Sequence, residues 1–499
     1  MGQIWNHHEQ EGFNRSVAPP ACLPAVYACH WERIRQARLL RGGHHRHYYL
    51  HEGRTQFDYP QMQANGRILQ PYVKYNLLGL ISNKNGDLLF GQEPTLTASN
   101  PRQQDAISAL SDRCNLLPML HSLSVSASSE SACFIEAVEY DGEAYLAEVD
   151  GQEMFPVGRL MPDGQHAAYV RYQLNDELTL LLVSTYKPGS IERKLYKTTE
   201  TGAMGTQIDV NLWPFKTTVW ADLVNTGMSV NLITWIPNVM LQGKAFSDYD
   251  GSLDQQDNVN SANTQIARIL AKHADPMVAF PRDSFREDGT ILSSDKAVAK
   301  GDTPGSVPEY ITWSGELDAA MKNRAFAVNA LLMTTEMSPV LLGLKEGAAP
   351  TAYKSLRLEA VNSISKANRK ALYFSVGLKW ALISAQQLEN TLEGKGGYAI
   401  GPIGVTLRDG IPIDENEQAI TITTLTGGKA VMSLERAVGL LIADPAERDA
   451  EVARLQAARA EGTPSVFVTS PETDVSGQMS EVGSQNTDAA STGSGPLNQ

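Results

Sequence analysis

SLDQQDNVNSANTQIARILAKHADP runs from Ser252 to Pro276. Leu253, Val259, Ile266, Ile269 and Leu270 fall at helical spacing, yet they make only a thin apolar stripe. The remainder of the first half is amide and carboxylate. A greasy core would reject such a helix, because buried polar groups need partners. Either water solvates it or other polar surfaces complete it, and that choice decides what kind of molecule the chain builds.

Two more helices lie beyond it. Residues 274–313 are rich in Pro and Gly, with the strand-like pieces MVAF and YITW. Ser314 can cap the next helix, with Glu316 and Asp318 in its first turn. Leu317, Ala320, Met321, Ala325, Val328, Leu331 and Leu332 follow helical spacing. SPVLLGLKEGAAPTAY, 338–353, interrupts. From Leu356 through Ala360, Ile364, Ala367, Ala371, Phe374 and Leu378 to Leu382 runs the longest apolar stripe of the chain, read as one helix. Lys354, Arg357, Lys366, Arg369, Lys370 and Lys379 are placed on its other faces. Residues 397–426 read as strands around Arg408-Asp409-Gly410. Ser433 opens a helix ending before Pro445, and Asp444 caps the last one, with Glu447 completing a capping box. After Gly462 the chain has too little apolar content to offset ordering entropy, which predicts disorder.

On the N-terminal side, residues 130–240 show short alternating runs punctuated by Asp141-Gly142, Asp150-Gly151 and Asp163-Gly164. These are hairpin signals and predict antiparallel strands. Pro71–Leu89 and Ala25–Leu40 read as helices, the latter stopped by Gly42-Gly43.

The chain has 499 residues, enough for two or more packed units, and a formal net charge of −14. Tight nucleic-acid binding draws on Lys and Arg, so an acidic chain suits a surface that nucleic acid touches without sticking. Cys22, Cys29, Cys114 and Cys133 form no CxxC pair, and free thiols are expected. The start, MGQIWNHHEQEGFNR, lacks the pattern of a signal peptide. Val219–Met240 is too polar for a membrane span. The reading is a soluble, intracellular protein.

Signals of chemistry are weak. Leu425-Thr426-Gly427-Gly428-Lys429 lacks the first Gly and the final hydroxyl of a phosphate loop. Asp248-Tyr249-Asp250-Gly251 lacks the closing Glu of a calcium loop and reads as a turn before a helix. Cys22, Cys29 and His30 could meet His44, His45 or His47, but their spacing fits no zinc module. No metal, cofactor or catalytic residue is assigned, and residues 1–65 read as a mobile or surface-lying arm. Arg33, Arg35, Arg38 and Arg41 fit a solvated helix face, with nucleic acid as the other reading.

Five blocks, in order, resemble the portal proteins of tailed bacteriophages: YNLLGLISNKNGDLLFGQEP (75–94), the segment from Trp235 to Pro276, VPEYITWSGELDAAM (307–321), MSPVLLGLKEGAAPTAYKSLRLE (337–359) and the segment from Gly410 to Leu441. Together they cover roughly residues 70–460, and their order and spacing carry the likeness. It implies an α+β, portal-type fold forming an oligomeric ring. Residues 1–65 would be an arm, 66–250 the wing, 251–273 the first stem helix and 274–313 an α/β clip. Residues 314–337 would be the second stem helix, 338–353 the tunnel loop, 354–426 a long helix with return strands, 427–461 a helical crown and 462–499 a tail.

The resemblance implies a conduit and no enzyme. Such rings, usually of twelve subunits, sit at one capsid vertex of the virion and pass double-stranded DNA during packaging and ejection. The expected partners are the terminase large subunit, head-completion or adaptor proteins, and the major capsid and scaffolding proteins, with no membrane. Gln255, Gln256, Asn258, Asn260, Asn263 and Gln265 would then satisfy one another across subunits or face water. Gly343, Lys345, Glu346 and Gly347 would face DNA, and Arg282, Arg286 and Lys296 would meet the motor or adaptor. Alternatives are a phage-associated hydrolase of mixed fold and a head scaffold protein that forms no ring.

Overall fold

The structure, a computed structural model, describes residues 19–45, 73–160, 166–215, 219–273, 277–281, 297–300, 309–311, 316–344, 353–392, 397–411, 420, 424, 433–442 and 445–460. Arg282, Arg286, Lys296, Lys345, Glu346, Gly347, Asp163-Gly164 and the polar tail lie outside these residues. The chain divides into two units, Met1–Ile413 and Asp414–Gln499.

In the first unit, α1 (Ala25–Arg41) and α2 (Leu77–Phe90) precede β1 (Thr95–Ala98), α3 (Pro101–Cys114) and α4 (Leu116–Glu130). Asn76 caps α2 by accepting the Gly79 N–H, and Asn100 caps α3 by accepting the Gln103 N–H, so two short side chains set both helix starts. Then come β2 (Ala132–Tyr140), β3 (Glu143–Val149), β4 (Met154–Leu160), β5 (His166–Leu174), β6 (Leu180–Lys187), β7 (Ser190–Thr198) and β8 (Met204–Ile208). β9 (Leu223–Asn225), β10 (Ile233–Pro237), β11 (Val239–Leu241) and β12 (Lys244–Phe246) follow.

The turn between β2 and β3 is Asp141-Gly142, both with positive φ, 53° and 73°. That is the backbone a two-residue hairpin requires. Asp150-Gly151 does not make a hairpin. β3 pairs in the sheet β10-β2-β3, whereas β4 opens the six-stranded sheet β4-β5-β6-β7-β8, in which β9 also pairs with β7. The pair therefore carries the chain from one sheet to the other, and Asp150 accepts an ion pair there.

The helix α5 (Leu253–His273) leads to a small sheet of β13 (Met277–Pro281), β14 (Ala297–Lys300) and β15 (Glu309–Ile311), with β13 in the middle. β13 pairs parallel to β14 and antiparallel to β15. Next is α6 (Glu316–Thr334), packed along α5. The stripe from Leu356 to Leu382 is not one helix. It splits at Ala360 into α7 (Tyr353–Glu359) and α8 (Val361–Thr391). The Ser338 hydroxyl donates to the Glu359 carbonyl at 2.7 Å, and Ser363 Oγ accepts the Ser338 N–H at 2.7 Å. The turn after α6 thus occupies the backbone where the helix is interrupted. β16 (Ile403–Thr406) pairs antiparallel with β1.

α8 crosses β10, β2 and β3, and Gly377 permits the crossing. A Cβ there would stand 2.4 Å from Ile236 Cγ1. The main hydrophobic cluster sits at this crossing, with Leu120, Leu123, Ile135, Ile236, Phe374 and Leu382 among its members. Each such fully buried side chain contributes roughly 1.5–3 kcal/mol. A second cluster joins α1, α2, α5 and α6 through Ala37, Leu40, Leu78, Val259, Leu331 and Leu332. α1 is therefore part of a core, which corrects the arm reading for Ala25–Arg41.

In the second unit, α9 (Leu434–Leu441) is capped by Ser433 and packs with α10 (Pro445–Ala460). The β-branched run near residue 420 reads as strand, but Ile420 and Thr424 are helical, and Thr424 Oγ1 bonds back to the Ile420 carbonyl at 2.8 Å.

Candidate functional site

The polar row on α5 has partners inside its own chain. Gln256, Asn260 and Thr264 recur every four residues and so share one face. Asn260 Oδ1 accepts the Tyr75 N–H at 2.9 Å, and Gln256 Nε2 donates to the Tyr75 carbonyl at 2.7 Å. Gln256 Oε1 accepts the Leu78 N–H, and Thr264 Oγ1 the Val73 N–H at 3.1 Å. The row thus grips the extended backbone that enters α2. All three side chains are buried. The expectation that Gln256 and Asn260 bond across subunits or face water is corrected accordingly. Asn258 and Gln265 are exposed, Asn263 is half-buried, and Gln255 is half-buried with its Oε1 enclosed and without a hydrogen bond.

His45 completes this face. It is fully buried. Asn260 Nδ2 lies 2.7 Å from its Nδ1, and Asn76 Oδ1 lies 3.2 Å from its Nε2. Burial lowers its pKa to about 4, against the bond to Asn76 and with the Lys74 ammonium adding to the fall.

At the foot of α5, Asp248 is buried and gathers charge. Lys366 Nζ lies 2.9 Å from its Oδ1, and Lys370 Nζ meets its Oδ2. Ser128 Oγ and Asn85 Nδ2 donate to Oδ2 at 2.5 Å and 2.8 Å, and Lys366 also donates to the Thr335 carbonyl at 2.7 Å. One carboxylate thus ties α2, α4 and α8 to the turn that starts α5, and Lys366 adds the residue that follows α6. Against the cost of burial, the two ammoniums hold Asp248 well below the usual carboxylate range. Burial in turn lowers Lys370 to about 8, because two cations share one anion. Lys366 and Lys370 had been placed on outer faces of the long helix; the structure buries both.

Within the Arg run, Arg38 and Arg41 depart from a solvated face, whereas Arg33 is exposed and Arg35 pairs with Glu32 on its own helix. Arg38 pairs with Glu130 at 2.9 Å and Asp150 at 2.7 Å, Arg41 reaches Glu130 at 3.5 Å, and Arg33 bonds Ser131 at 2.9 Å. Arg38 and Arg41 seal α1 to the end of α4 through Glu130. Cys22 and Cys133 are buried free thiols and Cys29 is exposed. Among the described residues no three His, Cys, Asp or Glu side chains group as a metal site, and no described helix is long and apolar enough to cross a membrane.

α6 is different in kind. Ala327, Leu331 and Leu332 are buried, but residues 321–326 are all exposed. Met321, Phe326 and Met333 are 51%, 69% and 80% exposed. Of the tunnel-loop set, Gly343 is described, ending a short 3-10 turn in the left-handed conformation, φ 67°. Sequence reasoning saw the amides of α5 but missed His45, Asp248, Lys366 and Lys370. The four-residue polar period marks the α5 row; the four missed residues carry no such signal.

The fold and this helix root define a mixed α+β protein whose two polar clusters are structural in geometry. No protein-family model and no curated protein matches the chain. Solved structures that resemble it include a chain in the neck of an empty GTA particle computed with C6 symmetry, at 12% identity, TM-score 0.40, covering 73% of this chain and 88% of that one. The virion of a native gene transfer agent (GTA) particle gives 12%, 0.40, 73% and 88%. The neck of a native GTA particle computed with C12 symmetry gives 13%, 0.41, 73% and 89%. So distant a likeness leaves function to be argued from the chain's own residues.

Proposed function

We propose that this chain is a portal protein, a subunit of a ring, twelve-membered by the resemblance, that forms a DNA channel at one capsid vertex. In this reading α5 and α6 are the stem, 274–313 the clip and 427–461 the crown. The observation that carries it is the exposed apolar side of α6. Phe326 and Met333, seven residues apart and so on one face of α6, are exposed among the described residues, and exposed apolar surface calls for a partner. The order supports the same reading: helix, three-stranded sheet, antiparallel-paired sheet exit, helix, interrupted turn, long helix. Contacts between unlike faces of identical subunits close into rings when the rotation permits.

Residues 338–353 are the tunnel loop in this reading. Lys345 gives weak, salt-sensitive contact with phosphate, while the acidic remainder limits sticking. Arg282, Arg286 and Lys296 offer the clip's charge to the terminase or to a head-completion protein. The test is negative-stain imaging of the purified chain under assembly conditions. Toothed rings with a central hole are expected; compact single-copy particles throughout would sink the proposal. Lys345→Glu should alter packaging and leave the rings intact.

A further inference from the structure

We propose that His45 is an acid-sensitive clasp that fastens the N-terminal helix α1 to α5. The side-chain hydrogen bonds fit one neutral state of the ring. Asn260 Oδ1 is committed to the Tyr75 N–H at 2.9 Å and to Gln256 Nε2 at 3.2 Å. The amide therefore cannot turn over without setting its NH2 against another N–H. Its Nδ2 must donate to His45 Nδ1, which must carry no proton. On the other side, Asn76 Oδ1 already accepts the Gly79 N–H, and Asn76 Nδ2 donates to the Arg41 carbonyl at 2.8 Å. Asn76 is thereby oriented to receive a proton from His45 Nε2. The neutral Nε2–H tautomer satisfies every atom.

A second proton on the ring sets Nδ1–H against the Asn260 NH2, two donors in a place without water exposure. The titratable groups acting on the ring are Lys74, whose Nζ donates to the Gly43 carbonyl at 2.6 Å, and His44; both are cationic or become so in acid. The Leu40 carbonyl favours the extra proton, and burial outweighs it. The α5 face opposite the ring offers Asn260, Gln256 and Thr264, none of them charged. Among the described residues, the groups that act on the ring include no carboxylate. Protonation thus breaks the polar part of the joint between α1 and α5, beside the apolar contacts of Ala37 and Leu40, and loosens the hold of Asn260 on Tyr75. The strands β5–β7 contain none of these bonds and stay closed. The clasp does not depend on the ring proposed above, since every bond lies within one chain.

The test is amide hydrogen exchange on the full chain at pH 7 and pH 4.5, corrected for intrinsic rates. Protection of 25–45 and 73–80 should fall on the order of tenfold or more in acid relative to β6 and β7. His45→Gln presents the same acceptor and donor without titrating, and should remove that dependence. Equal acid loss in His45→Gln and wild type, or no loss in wild type, overturns the clasp. An NMR titration of the wild-type imidazole gives a reading that needs no variant. Protonation well below pH 6 supports the clasp, and ordinary titration near the free-histidine value of about 6.5 overturns it.

Discussion

Lys366 Nζ lies 2.9 Å from Asp248 Oδ1, with both side chains buried, and joins the turn before α5 to the helix α8. Asp248 is the one carboxylate facing two ammoniums, so the three residues respond unequally to loss. Asp248→Asn leaves both cations buried without an anion. It should cost about 3–5 kcal/mol, read by urea unfolding with an unchanged slope. Lys366→Met leaves one anion facing one cation and should cost clearly less. An Asp248→Asn variant within about 0.5 kcal/mol of wild type, the range of an ordinary surface change, would contradict the cluster's role.

The same cluster fixes a pH response. Lys370 sits near 8 when folded, below the roughly 10.4 of an unfolded lysine. Between those values the unfolded chain holds the proton and the folded one does not. Stability therefore rises with pH across this window, by up to about 3 kcal/mol. Asp248 is shifted in the same direction, in the acid range: its depressed folded pKa contributes stability that is full above the unfolded carboxylate value and lost as pH falls through the folded one. Comparing wild type with Lys370→Met by denaturant unfolding at pH 7.5 and 10 isolates the lysine. A difference that does not move with pH rejects the account.

Gly377 should behave against helix propensity. Alanine in a helix interior normally stabilises by about 1 kcal/mol over glycine. Here its methyl would collide with Ile236 Cγ1 and Cδ1, at 2.4 and 2.7 Å. Gly377→Ala should destabilise by about 1–3 kcal/mol, and adding Ile236→Ala should cost less than the sum of the two single changes. Thermal melts of the four proteins complete the cycle; a stabilising Gly377→Ala would show that α8 does not cross β10 this closely.

Much of this architecture is legible because it is periodic. The stripe through Ile364, Phe374 and Leu382 fits the helical period, and Asp141-Gly142 names its own turn. The break at Ala360 has no local signal, since alanine favours helix; Ser338, outside the helix, takes the Glu359 carbonyl. The row Gln256, Asn260, Thr264 is visible as polar, but its partner is the backbone of 73–78, which leaves no mark in a sequence. Lysines are rarely fully buried, so Lys366 and Lys370 read as surface until Asp248 is seen beneath them. The stem reading placed the amides between subunits, yet two of them bond within the chain. Phe326 and Met333 on α6 are exposed among the described residues instead.

Those side chains allow the most direct test of the ring. The measurement is molar mass in solution by light scattering, for wild type and for Phe326→Asp/Met333→Asp, with far-ultraviolet circular dichroism on each. Wild type should reach a discrete closed assembly of many subunits, and the variant should stay small with the same helical content. A wild type that remains single-copy at every concentration, or a variant that still assembles, would contradict the account.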